Sequence, residues 1–309
     1  MITTHYQKEQ LERRLKHPDN ISILEEILAR KSAELECLQK ARDDRKLGFG
    51  KKIKKKPELE TIVREIKAEV DSFLGVSEIN LPDTNFVKLR DDKFSLRMVS
   101  ASYGLNAINL SLAGFSLATT NNNPSTGAML FNFLLGAAGM YIHHSALQET
   151  TYQTIDQRIR LAKAPKESLV SLFAHEYTHY LQHQLLFSPE KIIFSQYRPF
   201  TEGHARGVQR NIGIIYQQRE GNDAFIWENS NYDVSELKNV YRWLCRLAGK
   251  KVSSSLMSIK TTKDQANTFY LTIYKEPTPH ALGNSLMLIH EAQYGNDIYR
   301  KMLHGEHTF

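Results

Sequence analysis

His175 and His179 stand four residues apart, with Glu176 directly after the first of them, in the string Ser171-Leu-Phe-Ala-His-Glu-Tyr-Thr-His-Tyr-Leu-Gln-His183. On a helix, positions i and i+4 share one face about a turn apart. Both imidazoles can then meet a single zinc ion, and a carboxylate at Glu176 can reach a water held by that ion. The flanks suit a helix: Leu169, Val170, Leu172, Phe173, Ala174, Leu181, Leu185 and Leu186 are apolar, and neither Gly nor Pro interrupts 166–188. Pro165 with Lys166-Glu167-Ser168 is a helix entry, and Pro189 lies just past an expected end. The bland alternative is a surface helix with two stray histidines.

Two histidines leave a catalytic zinc short of a ligand, because such sites usually take three protein ligands and a water. Downstream, His183, Glu202, His204 and Glu220 are candidates. His183 continues the face to i+8, which suits a rim position better than a ligand, and His204 should point elsewhere on its helix. The 22 residues between His179 and Glu202 suffice to end one helix, turn, and begin a second packed against it.

At this point the sequence resembles the gluzincin clan of zinc metallopeptidases, which includes thermolysin-like enzymes and zinc aminopeptidases. The resemblance rests on His175-Glu176-Tyr177-Thr178-His179 followed by Glu202-Gly203-His204-Ala205, an E-G-x-A string like that carrying the third ligand in the aminopeptidase branch. It covers mainly 151–210, with a weaker match at 277–303. It implies His175, His179 and Glu202 as zinc ligands and Glu176 as general base. It also implies an oxyanion donor at His280, which stands where aminopeptidases carry a tyrosine, in a helix reaching Tyr294-Gly295. His290 and His304 are weaker candidates. Two departures are visible. Arg206 occupies the position where thermolysin-like enzymes place an Asp that orients a histidine, and the G-x-M-E-N string with which many aminopeptidases hold a substrate amine is missing.

The implied chemistry is hydrolysis of a peptide bond. Zinc lowers the pKa of a bound water to about 7. Glu176 takes its proton and later passes it to the leaving amine, while His280 or a nearby tyrosine steadies the oxyanion. No G-x-S-x-G or P-loop string competes. The expected activity is endopeptidase action on protein or peptide substrates. The alternatives are a zincin-scaffold binding or regulatory protein with weak catalysis, and a membrane-associated protease or toxin.

The elements that must position these residues follow from the rest of the chain. Its 309 residues allow one large domain or two smaller ones, and 41% hydrophobic with 24% charged content is ordinary for a globular protein. Two cysteines, Cys37 and Cys245, argue against a disulfide framework or a cysteine-ligated metal and fit a reducing compartment. The start of the chain shows no apolar signal segment, so the expected location is cytoplasmic, or exported without a cleavable signal. The net charge of +6 concentrates in Lys51, Lys52, Lys54, Lys55 and Lys56. This run can touch phosphate or an anionic membrane, although a solvated linker is the plainer reading; nucleic acid is not an expected partner.

Residues 5–46 read as helices broken at Pro18-Asp19-Asn20, and 58–74 as a helix stopped by Gly75. Two apolar runs, at 105–118 and 127–142, are too short or too interrupted for spanning helices of about 20 residues. They are expected as buried core segments, with a membrane hairpin as the other possibility. Residues 151–163 alternate apolar and polar as a strand or hairpin arm, a candidate edge for an extended peptide. Helices are expected from about 199–201, over 233–248, over 279–294 and near 297–303. The expected fold is α+β: a helical region at 1–75, then a zincin-like domain at 76–309 with a small sheet and a mainly helical C-terminal part.

Overall fold

A computed structural model describes residues 17–44, 46–77, 79–87, 151–153, 157–186, 198–261 and 276–306. The chain divides into two compact units, one of residues 1–86 and 152–309 and the other of 87–151. The apolar runs at 105–118 and 127–142 lie outside the described residues. Among the described residues, no helix is long and apolar enough to cross a membrane.

The first unit is mostly helical with a small sheet, which agrees with α+β in the general sense. Its elements are α1 (Pro18–Asp43), α2 (Lys56–Leu74), β1 (Thr84–Val87), β2 (Thr151–Gln153), β3 (Arg158–Ala162), α3 (Lys166–Leu185), α4 (Arg198–Glu220), α5 (Ala224–Leu247), α6 (Ser254–Met257), α7 (Pro279–Tyr294) and α8 (Asp297–Leu303). The helix bearing His175 and His179 is α3.

The helices follow from apolar spacing and their stops. Leu59, Ile62, Val63, Ile66, Val70 and Leu74 form one buried stripe along α2. Gly75 ends that helix at φ 64°, where the left-handed turn lets Val76 N–H donate to Asp71 O at 2.9 Å. The α2 stripe packs on Leu169, Val170, Phe173, Tyr177 and Leu181 of α3. Leu24, Leu28 and Leu35 of α1 pack instead on Val234, Leu237, Val240 and Leu244 of α5 and on Leu286 and Ile289 of α7. α2 therefore completes the core of α3, which carries two of the candidate ligands, and α1 completes the core of α5 and of α7, which carries His280.

The strand expected over 151–163 is two strands, β2 and β3, in a three-stranded sheet of order β1-β3-β2. β3, which leads into α3, is the central strand with neighbours on both sides. Among the described strands the edges are β1 and β2, so within 151–163 an edge is offered at 151–153 and not along β3.

Candidate metal centre

α3 keeps Leu169, Val170, Phe173, Tyr177 and Leu181 in the core and turns His175, Glu176 and His179 to a face that is only half buried. Polar ties fix how it sits. Ser171 Oγ donates to Asn229 Oδ1 of α5 at 2.9 Å, and Gln209 Nε2 of α4 donates to the same Ser171 Oγ at 2.6 Å. On the far side, Tyr177 OH donates to Asp71 Oδ1 of α2 at 2.8 Å.

α4 delivers Glu202 from its first turns. His175 Nε2 and His179 Nε2 lie 3.2 Å apart, and each is 3.4 Å from Glu202 Oε2. Three ligand atoms held about 2.0–2.1 Å from one tetrahedral ion lie roughly 3.3 Å from one another. The three atoms thus already stand at the mutual spacing that a zinc ion would impose. Among the described residues this is the one cluster of His, Cys, Asp or Glu able to hold a metal ion. Glu202 Oε2 is buried and faces three imidazole nitrogens, those of His175, His179 and His280.

Glycine at 203 has a steric cause. A Cβ there would lie 2.3 Å from Gly283 O, and a Cβ on Gly283 would lie 1.9 Å from Pro199 O. The backbones of α4 and α7 cross at these two glycines. The crossing brings the N-terminal turn of α7 onto Glu202, where His280 Nε2 reaches 2.9 Å from Glu202 Oε2. That turn is fixed by its cap, Thr278 Oγ1 accepting from Ala281 N–H at 3.1 Å, with Pro279 opening the helix.

The partner of His179 is Gln182, a residue the sequence reading passed over. Thr201 O can only accept, so the Gln182 amide nitrogen at 3.0 Å must face it, which turns Gln182 Oε1 toward His179 Nδ1 at 2.9 Å. His179 Nδ1 therefore carries a proton and donates it. The same Gln182 nitrogen is 3.1 Å from His204 Nδ1, and His204 Nε2 is 2.8 Å from Tyr299 O. Since that carbonyl also only accepts, His204 is protonated at Nε2 and takes the Gln182 hydrogen on Nδ1. A directed chain runs from the Tyr299 backbone through His204 and Gln182 to His179. Spacing offers a signal for it: Gln182 follows His179 by three residues, which makes them neighbours on a helix.

The remaining candidates are placed elsewhere. His204 is fully buried and outside the ligand triangle, in the chain just described. Arg206 is held by α5: its Nη2 is 3.6 Å from Glu236 Oε1, and its guanidinium lies 4.0 Å over the Tyr232 ring. His183 is buried and not part of the triangle. Glu220, at the far end of α4, accepts from Lys166 Nζ at 2.8 Å. His304 Nε2 meets Leu74 O at 3.1 Å, and the His290 ring lies against Tyr294. His175 Nδ1 is buried with no hydrogen-bond partner among the described residues.

The electrostatics divide the two histidines. Burial, with the positive charge of His179 beside it, lowers the His175 pKa to about 3. Burial also opposes charge on His179, but the Glu202 carboxylate overrides it, with smaller help from Glu176 and Gln182, and holds its pKa up at about 9. Burial alone would raise Glu202; the charge on His179 and hydrogen bonds from His175, His179 and His280 hold it well below the usual carboxylate range. Without a metal, these shifts leave His175 neutral and favour the charged form of His179 at neutral pH.

A scan of the chain against protein-family models found no matching family, and searches of curated proteins and of solved structures found no match.

Proposed function

We propose that the chain is a zinc-dependent peptidase of gluzincin type on a zincin-like domain, acting as an endopeptidase on protein or peptide substrates. The observation that carries this reading is the triangle of His175 Nε2, His179 Nε2 and Glu202 Oε2, with edges of 3.2–3.4 Å. These three residues would hold the ion. When bound, zinc supplies a more acidic water and polarises the scissile carbonyl.

The chain supplies the rest. Glu176, half buried beside His179, takes the proton of the attacking water on its carboxylate and returns it to the leaving amine. A donor at His280 Nε2 stands next to Glu202 and is about one-third exposed, so it can turn from that carboxylate to an oxygen of the substrate. Gln182 keeps the proton of His179 on Nδ1 and its lone pair on Nε2, facing the cation.

The test is metal content and cleavage on the same preparations. Wild type should carry about one zinc per chain, following the three-ligand arrangement. Glu176→Gln should keep the metal and lose on the order of 10²–10⁴-fold in cleavage of a casein-type substrate. A metal-free wild type that cannot be loaded with zinc, or a Glu176→Gln variant as active as wild type, would overturn the reading.

A further inference from the structure

The lysine-rich segment between α1 and α2 is held in place against the body of the protein. Gly48 O accepts from Asn222 Nδ2 at 2.9 Å, Gly50 N–H donates to Glu167 Oε2 at 3.1 Å, and Ile53 N–H donates to Ala164 O at 3.1 Å. Ile53 is buried in the core that contains α2 and α3. Between these fixed points the side chains turn outward. Phe49, flanked by the two tied glycines, is 42% exposed, one of only four large hydrophobic side chains exposed among the described residues. Lys51, Lys52, Lys54 and Lys55 are all exposed, and none has an ion-pair partner among the described residues. The acids close in sequence are engaged elsewhere or outnumbered: Asp44 pairs with Lys46, Glu60 pairs with Lys56, and Asp43 and Glu58 remain against four lysines.

We propose that this segment is a docking surface for an anionic lipid bilayer, with Phe49 entering the headgroup region and Lys51, Lys52, Lys54 and Lys55 lying along the charged surface. The complementarity is one of kind as well as sign. Lysines are compact point charges suited to a diffuse anionic field, and the run holds no arginine for bidentate phosphate or base contacts. A single aromatic gives one wedge, whereas single-stranded nucleic acid is bound on successive stacking platforms. Ties at Gly48, Gly50 and Ile53 mean that little ordering entropy is lost on docking. The segment meets α3 at Glu167, about 12 Å along the helix axis from His175. The inference stands independently of the proposed peptidase activity.

The experiment is co-sedimentation of the full chain with large vesicles of phosphatidylcholine alone or with 30% phosphatidylserine, at two salt concentrations. Binding is expected only to the anionic vesicles and should weaken as salt rises. Each lysine near such a surface contributes about fivefold, so K51Q/K52Q/K54Q/K55Q should weaken partitioning on the order of 100-fold or more. Phe49→Ser should weaken it severalfold without changing the salt dependence. Thermal midpoints of both variants should match wild type, because the replaced side chains are exposed. The proposal is overturned if wild type ignores anionic vesicles, if the quadruple variant binds as wild type does, or if the lysines instead govern binding to a single-stranded RNA probe with no vesicle binding.

Discussion

Gln182 meets three partners at once: its oxygen accepts from His179, and its nitrogen donates to Thr201 O and His204 Nδ1. Leucine at this position would keep the volume and lose all three. Gln182→Leu should therefore lower zinc affinity by about 10–100-fold, the usual scale for a partner that orients a ligating histidine. Competition with a chromophoric chelator would read the change. Gln182→Glu still offers His179 an acceptor and should recover part of the loss; equal affinities for all three proteins would remove Gln182 from the role. Metal uptake has a proton signature too. His179 holds its proton up to about pH 9 in the metal-free site, and a ligating nitrogen must release it. Zinc added at pH 7 in weak buffer should release the His179 proton in addition to the roughly half proton given up by a bound water of pKa about 7, read with a pH indicator. Histidine spacing alone announced the pairing of His175 with His179, because i, i+4 on a helix is a local fact. The chain through His204 to Tyr299 O joins residues 95 apart in sequence and depends on where α8 packs, which no local pattern encodes.

At the scale of elements, the α4–α7 crossing decides whether Glu202 and His280 meet. Gly203 and Gly283 remove the side chains that would hold the helices apart, and the atoms a Cβ would strike are backbone, which cannot swing aside as a side chain can. Gly203→Ala and Gly283→Ala should each cost about 1–3 kcal/mol or more. Both should also pull His280 away from Glu202, because the separation moves α7 off α4. The double variant should cost less than the sum, since one displacement of α7 relieves both clashes. Urea denaturation of the single and double variants gives the comparison, and strict additivity would mean that the two clashes are independent. Much of this layer was legible in advance. The expected helix over 279–294 coincides with α7, and the helix from 199–201 begins at Arg198. The close approach itself was not: a glycine inside a helical pattern does not name what passes beside it. The helix expected over 233–248 starts earlier, at Ala224, because Trp227, Asn229 and Ser230 are buried against neighbours remote in sequence. The strand over 151–163 was legible as extended chain, but its place at the sheet centre required β1, about 70 residues earlier.

For the whole molecule, an unusual share of charge and imidazole is placed inside. Arg210 is almost fully buried among Asp233, Asn284, Glu291 and Tyr299, tying α4, α5, α7 and α8 together. Removing one member leaves its partners' charge unmatched, so Arg210→Leu should cost about 3–5 kcal/mol. The buried histidines give the fold a pH optimum whose two flanks have different origins. His204, fully buried between neutral partners, has its pKa lowered from 6.5 to about 4, chiefly by burial. Between those values the unfolded chain binds a proton that the folded chain refuses. The stability this represents, about 3 kcal/mol, is complete above pH 6.5 and is lost as pH falls through 4. His175, also lowered by burial, acts in the same direction. His179 acts in the opposite one: with its folded pKa raised to about 9, its contribution is complete below 6.5 and is lost as pH rises through 9. The metal-free protein should therefore unfold at its highest temperature near pH 6.5, with the midpoint dropping on both sides. Zinc should raise the alkaline side selectively, because His179 is a neutral ligand in the loaded site and no longer has a proton to lose. Thermal unfolding from pH 4.5 to 9.5, with EDTA and with excess zinc, separates the flanks. A metal-free midpoint that climbs steadily above pH 7 would contradict the raised pKa of His179, and one that holds level down to pH 4.5 would contradict the neutral burial of His204.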